Sequence, residues 1–162
     1  VSDRAMGELR QVVSDLRTSP LGRSGLLPTL RSLARDLQLD WRTPIVVETP
    51  KTLELSGDEQ LALYQVAKEA VMNALKHADP NEISVRVSQV GSGVSLEVKD
   101  DGRGFDVDAA EASQHFGLGL MRERVERLQG QVVLSSEIGS GTSLSVLLPR
   151  EVEPDSPRSN DA

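Results

Sequence analysis

Apolar residues in the first forty positions recur at the three- and four-residue spacing of α-helices. In residues 2–18 they form one narrow apolar face, made up of Met6, Leu9, Val13 and Leu16. Such a helix either packs on its own domain or is the end of a dimerising helix, and two heptads favour neither. Ser19-Pro20 interrupts the pattern, and helical spacing returns over residues 26–39.

The rest of the chain changes between helical spacing and the two-residue period of strands. In chain order, the pattern predicts a strand over residues 43–49 and a long helix over 58–78. A hairpin of strands 82–90 and 94–99 follows, then a helix over 117–128 and a second hairpin of strands 131–136 and 142–148. Gly130 is expected to end the last helix.

Hairpins separated by helices indicate the fold class. We expect an α+β two-layer sandwich, in which a mixed, mostly antiparallel sheet carries its helices on one face. Residues 21–149 would form this domain. Residues 150–162 contain almost no apolar side chains and are rich in Pro, Ser, Asp and Glu, which predicts a disordered tail.

Composition excludes several classes of function. The chain has 162 residues, enough for one domain with a substantial core, and no cysteine, so disulfides, thiolate metal sites and cysteine nucleophiles are ruled out. Its net charge of −7 argues against binding to nucleic acid, because a phosphate backbone repels such a surface. No apolar run approaches the ~18 residues of a membrane span, so no membrane contact by this chain is expected.

The most informative stretch is Asp100-Asp101-Gly102-Arg103-Gly104, which follows a predicted strand. Glycine lets the backbone take positive φ and lets a ligand approach the main chain without meeting a Cβ. A carboxylate beside it accepts hydrogen bonds from an amino group on a planar ligand. A simple turn uses the same residue types, so these five residues alone leave both interpretations open.

The polar side of the long predicted helix carries a second candidate site. Glu69, Asn73 and Lys76 follow one another at i, i+4 and i+7, which lines a carboxylate, an amide and an ammonium group along one groove. Asparagine is a poor residue for a helix interior, whereas its amide oxygen suits Mg²⁺ and an ammonium suits phosphate. The alternative is an ordinary amphipathic helix with a solvated face.

Two further glycine patterns lie downstream. Gly117-Leu118-Gly119 opens a predicted helix, whose first N–H groups can bind an anion. Gly139-Ser140-Gly141-Thr142 is either a plain hairpin turn or a turn that adds the Thr142 hydroxyl to a pocket floor. No lysine follows a glycine and no G-x-G-x-x-G occurs, which excludes the P-loop and the dinucleotide fingerprint.

Together these patterns form four boxes in a fixed order: Glu69-x-x-x-Asn73-Ala-Leu-Lys76-His77, Asp100-x-Gly102-x-Gly104, Gly117-x-Gly119 and Gly139-x-Gly141-Thr142. The first resembles the N box, and the others resemble the three glycine boxes, of the GHKL ATPase superfamily, which includes gyrase, MutL and the sensor histidine kinases. The sequences Asn-Ala-Leu-Lys-His-Ala and Asp-Asp-Gly-Arg-Gly-Phe are most similar to two-component histidine kinases of the NarL/DesK-like type. The resemblance covers about residues 26–149.

The resemblance implies a Bergerat α/β sandwich that holds ATP between the long helix and the sheet. In such a site Asp100 would accept the adenine amino group, supported by Thr142 through water. Gly102 and Gly104 would let the nucleotide lie against the backbone.

The same resemblance assigns the phosphate end of the site to the long helix. Asn73 would ligate Mg²⁺, with Glu69 as a second candidate ligand that orients the metal or the phosphate acceptor, and these two residues would be the catalytic ones. Lys76 and His77 would contact phosphate oxygens.

A mobile lid is also implied, over residues 105–115 and beginning at Phe105. Gly117, Leu118 and Gly119 would form its hinge and a phosphate nest. Transfer of the γ-phosphoryl group would depend on positioning and charge neutralisation more than on covalent help from the protein.

In the histidine kinases the phosphate acceptor is a histidine followed directly by an acidic residue, and neither His77 nor His115 fits. We therefore expect residues 1–20 to be the C-terminal end of a dimerisation and phosphoacceptor helix, and the chain to bind ATP and Mg²⁺ without phosphorylating itself. The implied partners are an upstream phosphoacceptor domain and a response regulator. The implied location is the cytoplasm, in a soluble or a membrane-anchored parent protein.

Two alternatives keep the same fold. One is a serine kinase of the anti-sigma-factor type, which would explain a domain without an acceptor histidine. The other is a degenerate regulatory domain that has lost nucleotide binding. Asn73, Asp100 and the box glycines argue against the second alternative.

Overall fold

A computed structural model describes residues 21–109 and 117–150, apart from the side chain of Leu118. Its elements are α1 (Leu26–Trp41), β1 (Ile45–Glu48), α2 (Gly57–Asn73), a π-helix (Ala74–Ala78), β2 (Ile83–Val90), β3 (Gly93–Asp100), α3 (Leu118–Arg127), β4 (Gln131–Glu137) and β5 (Gly141–Leu148). The predictions for residues 1–20, 110–115 and 151–162 lie outside the described residues.

The five strands form one sheet in the order β1-β2-β3-β5-β4. β1 runs parallel to β2, and each of the other neighbouring pairs is antiparallel. The two predicted hairpins, β2–β3 and β4–β5, are therefore confirmed, and the long crossover between β1 and β2 contains α2. This arrangement confirms the predicted α+β sandwich with a mixed, mostly antiparallel sheet.

The core lies between the helices and one face of the sheet. Alternate side chains of the three central strands are buried on that face: Val85, Val87, Leu96, Val98, Leu144 and Val146. From the helix layer, Leu63, Val66 and Val125 are fully buried against them. Burial of one such side chain stabilises the fold by about 1.5–3 kcal/mol, so the two-residue period of the strands is enough to set which face meets the helices.

The helix α2 begins with a capping box. The hydroxyl of Ser56 accepts the Glu59 N–H at 3.1 Å, and the Glu59 carboxylate accepts the Ser56 N–H at 3.0 Å. The predicted α-helix over 58–78 is correct as far as Asn73, after which the chain continues as a π-helix and ends at the left-handed Asp79 (φ 47°). An analysis of periodicity at 100° per residue does not reveal this wider turn. The wider turn changes which side chains lie on the same face of the helix after Asn73.

The end of α3 differs from the prediction by one residue. Gln129, with φ 60°, takes the left-handed position expected for Gly130. The N–H of Gln129 bonds the Glu126 carbonyl at 2.9 Å and the N–H of Gly130 bonds the Val125 carbonyl at 3.0 Å, which is the hydrogen-bond pattern of a Schellman cap. Gly130 is needed instead for close packing, because a Cβ there would lie 2.7 Å from the Leu147 carbonyl oxygen.

Among the described helices, none is long and apolar enough to cross a membrane.

Candidate functional site

A cavity of about 220 Å³ opens between the end of α2, the π-helix and the edge of the sheet where β3 and β5 meet. Its described lining includes five residues that the sequence singled out: Asn73, His77, Asp100, Gly104 and Thr142. Phe105, the first residue of the predicted lid, also lines it. Segments that are far apart in the sequence therefore meet at one cavity.

Asp100 is the acidic group of this cavity. It is the last residue of β3, directly opposite Thr142 on β5, and its Oδ1 accepts the Gly102 N–H at 2.8 Å. Burial raises the pKa of the Asp100 carboxyl above its ordinary value of 3.8, and the neighbouring Asp101 acts in the same direction. The main-chain N–H groups of Gly102 and Thr142 oppose that rise. The cavity thus holds a partly desolvated carboxyl group whose remaining acceptor sites suit a ligand amino group.

Asp101 points away from the cavity and secures the loop after the π-helix. Its Oδ1 accepts the N–H of Asn81 at 2.8 Å and the N–H of Glu82 at 3.0 Å. Hydrogen bonding, first from Glu82, lowers the pKa of the Asp101 carboxyl below 3.8. Two adjacent carboxylates therefore have opposite roles, one facing a ligand site and the other holding the chain.

Replacing Asp101 with Ala is expected to lower the free energy of unfolding by about 1 kcal/mol at pH 7, because two N–H groups lose a charged acceptor. Since the folded pKa of Asp101 lies below 3.8, its contribution is complete above pH 3.8 and is lost as the pH falls through the lowered pKa. Urea unfolding at pH 7 and at pH 3 should show the difference between variant and wild type shrinking in acid. Asp36→Ala, at an exposed position of α1, is the matched control; a difference independent of pH would contradict the assignment.

Three box glycines are required by chain packing. A Cβ on Gly102 would overlap the Ala78 carbonyl oxygen, one on Gly104 would overlap the Glu137 carbonyl oxygen, and one on Gly141 would overlap the Asp100 carbonyl oxygen. Gly104 and Gly141 also have φ of +64° and +82°. These glycines let the loop after β3 lie against the π-helix on one side and against the β4–β5 hairpin on the other.

Hydrogen bonds hold that loop at both contacts. The Arg103 N–H bonds the Ala78 carbonyl at 2.8 Å, and the Arg103 carbonyl accepts the Gly139 N–H at 2.6 Å. Chain packing is thus a reason for glycine at positions 102 and 104 that does not depend on a ligand. Gly104 lines the cavity, whereas Gly102 is buried and is not part of the lining.

A second, smaller cavity of about 150 Å³ adjoins the first, and Met121 lines both. Glu69 and Gly117 face each other there, since a Cβ on Gly117 would lie 3.0 Å from Glu69 Oε1. Arg124 lines the same cavity and hydrogen-bonds Gln65. Glu69 is therefore one helical turn before Asn73 and next to Gly117, the N-cap of α3.

No described side chain caps the first N–H groups of α3. Gly117 is the N-cap in left-handed conformation (φ 64°), and Gly119 is exposed, with no atom of the described residues within 4 Å of where its Cβ would lie. Free N–H groups at a helix N-terminus favour an anion. Leu118 lies between these glycines in the first turn of the helix.

Lys76 is an N-box residue that lines neither cavity. The side chains of Lys76 and His77 are both exposed, but His77, the next residue in the π-helix, lines the larger cavity. A straight α-helix would have placed Lys76 above Asn73, and the wider π-turn alters that alignment. Its contact with phosphate stays a prediction.

Sequence patterns did not identify the walls of the larger cavity. Apart from Arg103, these are apolar: Ala70, Ala74, Ala78, Val98, Met121, Leu134 and Leu144. Each of these residues belongs to a regular apolar period, so the sequence predicts that it lies in the core. They can contact a ligand only because a cavity separates the helix layer from the sheet at this place. Apolar walls with a few convergent polar groups are typical of sites for planar organic ligands.

The donor set fits a magnesium ion that is shared with a ligand. In the described part of the chain, no group of three or more His, Asp or Glu side chains could hold a metal by itself. Asn73 and Glu69 supply an amide and a carboxylate oxygen at adjacent turns, and Mg²⁺ usually takes one or two such ligands and completes its shell with water and phosphate oxygens.

Comparisons with known proteins agree with this geometry. Residues 58–152 match the family described as histidine kinase-, DNA gyrase B-, and HSP90-like ATPase. The chain is 36% identical over 139 residues to the signal transduction histidine-protein kinase/phosphatase DegS of Bacillus subtilis (strain 168), covering 82% of this chain and 36% of that protein. It is 31% identical over 153 residues to DegS of Brevibacillus brevis, covering 92% of this chain and 39% of that protein.

The chain therefore spans less than two fifths of the length of these relatives. Among solved structures, it is similar to the histidine kinase domain from the Erythrobacter litoralis EL346 blue-light activated histidine kinase, with a TM-score of 0.67 and 22% identity over 77% of this chain and 61% of that one. At this identity the likeness shows the fold alone.

Proposed function

The chain belongs to the family of histidine kinase-, DNA gyrase B- and HSP90-like ATPases, and we propose that it is the ATP-binding catalytic domain of a sensor histidine kinase. The observation that carries the proposal is the half-buried Asp100 carboxyl at the edge of an apolar cavity that Asn73 and His77 also line. That arrangement offers a hydrogen-bond acceptor for a base at one end and polar groups for phosphates at the other. The similarity to two histidine-protein kinases favours this activity over a serine kinase of the same fold.

The base end of the cavity supports adenine as the ligand group. A purine ring fits the apolar walls formed by residues such as Val98, Met121 and Leu144. Its amino group would donate to Asp100, whose ionised form is the stronger acceptor. Thr142, opposite Asp100 in the sheet, adds a hydroxyl to the same edge.

The phosphate end lies toward α2 and α3. Asn73 and Glu69 would hold Mg²⁺, which neutralises charge on the phosphates when it is bound. His77 lines the cavity and would donate to phosphate oxygens, with the ammonium group of Lys76 on the adjacent residue. The uncapped N–H groups after Gly117 would bind a phosphate.

In the proposed reaction, a histidine ring nitrogen of a phosphoacceptor domain attacks the γ-phosphorus. The bond from phosphorus to the β–γ bridging oxygen breaks, a phosphorus–nitrogen bond forms, and ADP leaves. The protein residues act by placing the phosphates and balancing their charge. His77 belongs to the site itself and His115 is not followed by an acidic residue, so the acceptor would be a histidine of a separate phosphoacceptor domain, and a response regulator would then receive the phosphoryl group. The reaction would take place in the cytoplasm.

Calorimetric titration with ATP tests the proposal. We expect saturable binding that Mg²⁺ strengthens, and we expect Asn73→Ala to weaken binding about tenfold in Mg²⁺ but little in EDTA, because the variant loses a metal ligand. Lys68→Ala is the matched control, since Lys68 is exposed on the same helix and lines neither cavity. An absence of saturable ATP binding at millimolar nucleotide would contradict the proposed function.

A further inference from the structure

Ser136 of β4 is in contact with three separate parts of the site. Its Oγ accepts the Phe105 N–H at 2.9 Å, lies 3.0 Å from the Gly141 carbonyl oxygen, and lies 2.8 Å from Thr142 Oγ1. Ser136 thus links the first residue of the predicted lid to the turn between β4 and β5 and to the hydroxyl that lines the base end of the cavity.

The direction of these hydrogen bonds follows from the number of protons. A serine hydroxyl has one proton and two lone pairs, and one lone pair accepts the Phe105 N–H. The Gly141 carbonyl can only accept, so the 3.0 Å contact is favourable only when Ser136 donates to it. The second lone pair of Ser136 then accepts the proton of Thr142.

This assignment decides what Thr142 offers to a ligand. Because its proton is bonded to Ser136, Thr142 Oγ1 presents lone pairs to the cavity. Asp100, opposite Thr142 on the neighbouring strand, is likewise an acceptor. The two side chains together form an edge of hydrogen-bond acceptors, which fits an exocyclic amino group on a purine, reached directly or through a water, and disfavours a carbonyl oxygen at the same position.

We propose that Ser136 is a positioning residue for nucleobase selection: by accepting the Thr142 proton, it makes Thr142 an acceptor and so favours a 6-amino purine over a 6-oxo purine. The inference rests on the proposed ATP binding and adds to it a residue that acts through Thr142. The boxes did not mark Ser136, since a serine in a strand has no distinctive spacing.

The test compares the affinities of ATP and ITP for wild type and for Ser136→Ala. The two nucleotides differ at position 6 of the base, which is amino in ATP and oxo in ITP, and N1 carries a proton only in ITP. In the variant the Thr142 proton can turn into the cavity, so we expect ATP to bind about three- to tenfold more weakly, as for the loss of one hydrogen bond, and the ratio of ATP to ITP affinity to fall. Ser136→Thr keeps the hydroxyl and should restore the ratio. Ser135→Ala, one residue earlier on the exposed face of β4, is the matched control.

Two further measurements separate positioning from simple structural support. In a Thr142→Val background, Ser136→Ala should no longer change the ratio, because the two effects share one hydroxyl. Thermal unfolding of each free variant records any loss of stability. If wild type binds ATP and Ser136→Ala weakens ATP and ITP equally, or weakens neither, the inference about Ser136 is overturned while the proposed function stands. If wild type binds no ATP, both are overturned.

Discussion

Asp100→Asn is expected to weaken ATP binding about 10- to 150-fold without destabilising the free protein. A hydrogen bond to a charged group contributes about 1.5–3 kcal/mol, and an amide is a weaker acceptor whose NH₂ group can also face the adenine amino group unfavourably. The Asn oxygen can still accept the Gly102 N–H that Asp100 Oδ1 accepts at 2.8 Å. The loss should therefore appear in binding rather than in folding.

The expected stability follows from the raised pKa of Asp100. A folded pKa above 3.8 means that folding favours the protonated form, so the contribution of Asp100 to stability is complete below pH 3.8 and is lost as the pH rises through the raised pKa. At pH 7 the ionised, partly buried carboxylate opposes folding, and a neutral amide removes that effect. Urea unfolding at pH 7 should find Asp100→Asn at least as stable as wild type.

Asp101→Asn is the matched control for this experiment. It removes the same charge one residue further along, where the side chain is exposed and bonds Asn81 and Glu82 instead of lining the cavity. Calorimetry should find its ATP affinity close to that of wild type. Equal affinities for wild type and Asp100→Asn would remove Asp100 from the base site.

Gly104→Ala is expected to lower the free energy of unfolding by about 2–5 kcal/mol. The φ of +64° costs a residue with a Cβ about 1–2 kcal/mol, and the Cβ would overlap the Glu137 carbonyl oxygen, so the loop would have to move away from the β4–β5 hairpin. This shift would also disturb the neighbouring Phe105, whose N–H bonds Ser136. Urea unfolding measures the loss, and ATP affinity should fall in parallel.

Gly119 is also a box glycine, but Gly119→Ala is not expected to lower the free energy of unfolding. Gly119 lies in the first turn of α3 without a positive φ, and a Cβ at this position would have no atom of residues 21–109 or 117–150 within 4 Å beyond its own local backbone. Alanine should therefore leave stability unchanged or raise it by up to about 1 kcal/mol.

A Gly104→Ala variant as stable as wild type would show that the loop after β3 is free to move, contrary to the packing described above.

Local sequence patterns predicted most of the fold because each helix and strand has its own apolar period. The helix α1 ends two residues later than predicted, and β1 is shorter, at Ile45–Glu48. Asp100 was identified from the sequence because a carboxylate followed by glycines at the end of a strand is a local signal. Asn73 was identified because an amide inside a helix is unfavourable without a purpose.

Other features depend on contacts between distant segments and have no local signal. A side chain on Gly102 would overlap Ala78, and a side chain on Gly141 would overlap Asp100. The role of Ser136 depends on its hydroxyl lying between Phe105 and Thr142. Nothing in the spacing of these residues indicates such approaches.

The sequence by itself determined the order of elements, the face of each that is buried, and the residue types available for binding a nucleotide, because these follow from periodicity and side-chain chemistry. The tertiary structure alone decided which of these residues share a cavity. It made His77 of the π-helix, and not the adjacent Lys76, part of the cavity lining, and it set Asp100 opposite Thr142 through the register of β3 and β5. Close packing and hydrogen bonding between segments far apart in the chain produce that arrangement, and no pattern within a single segment contains it.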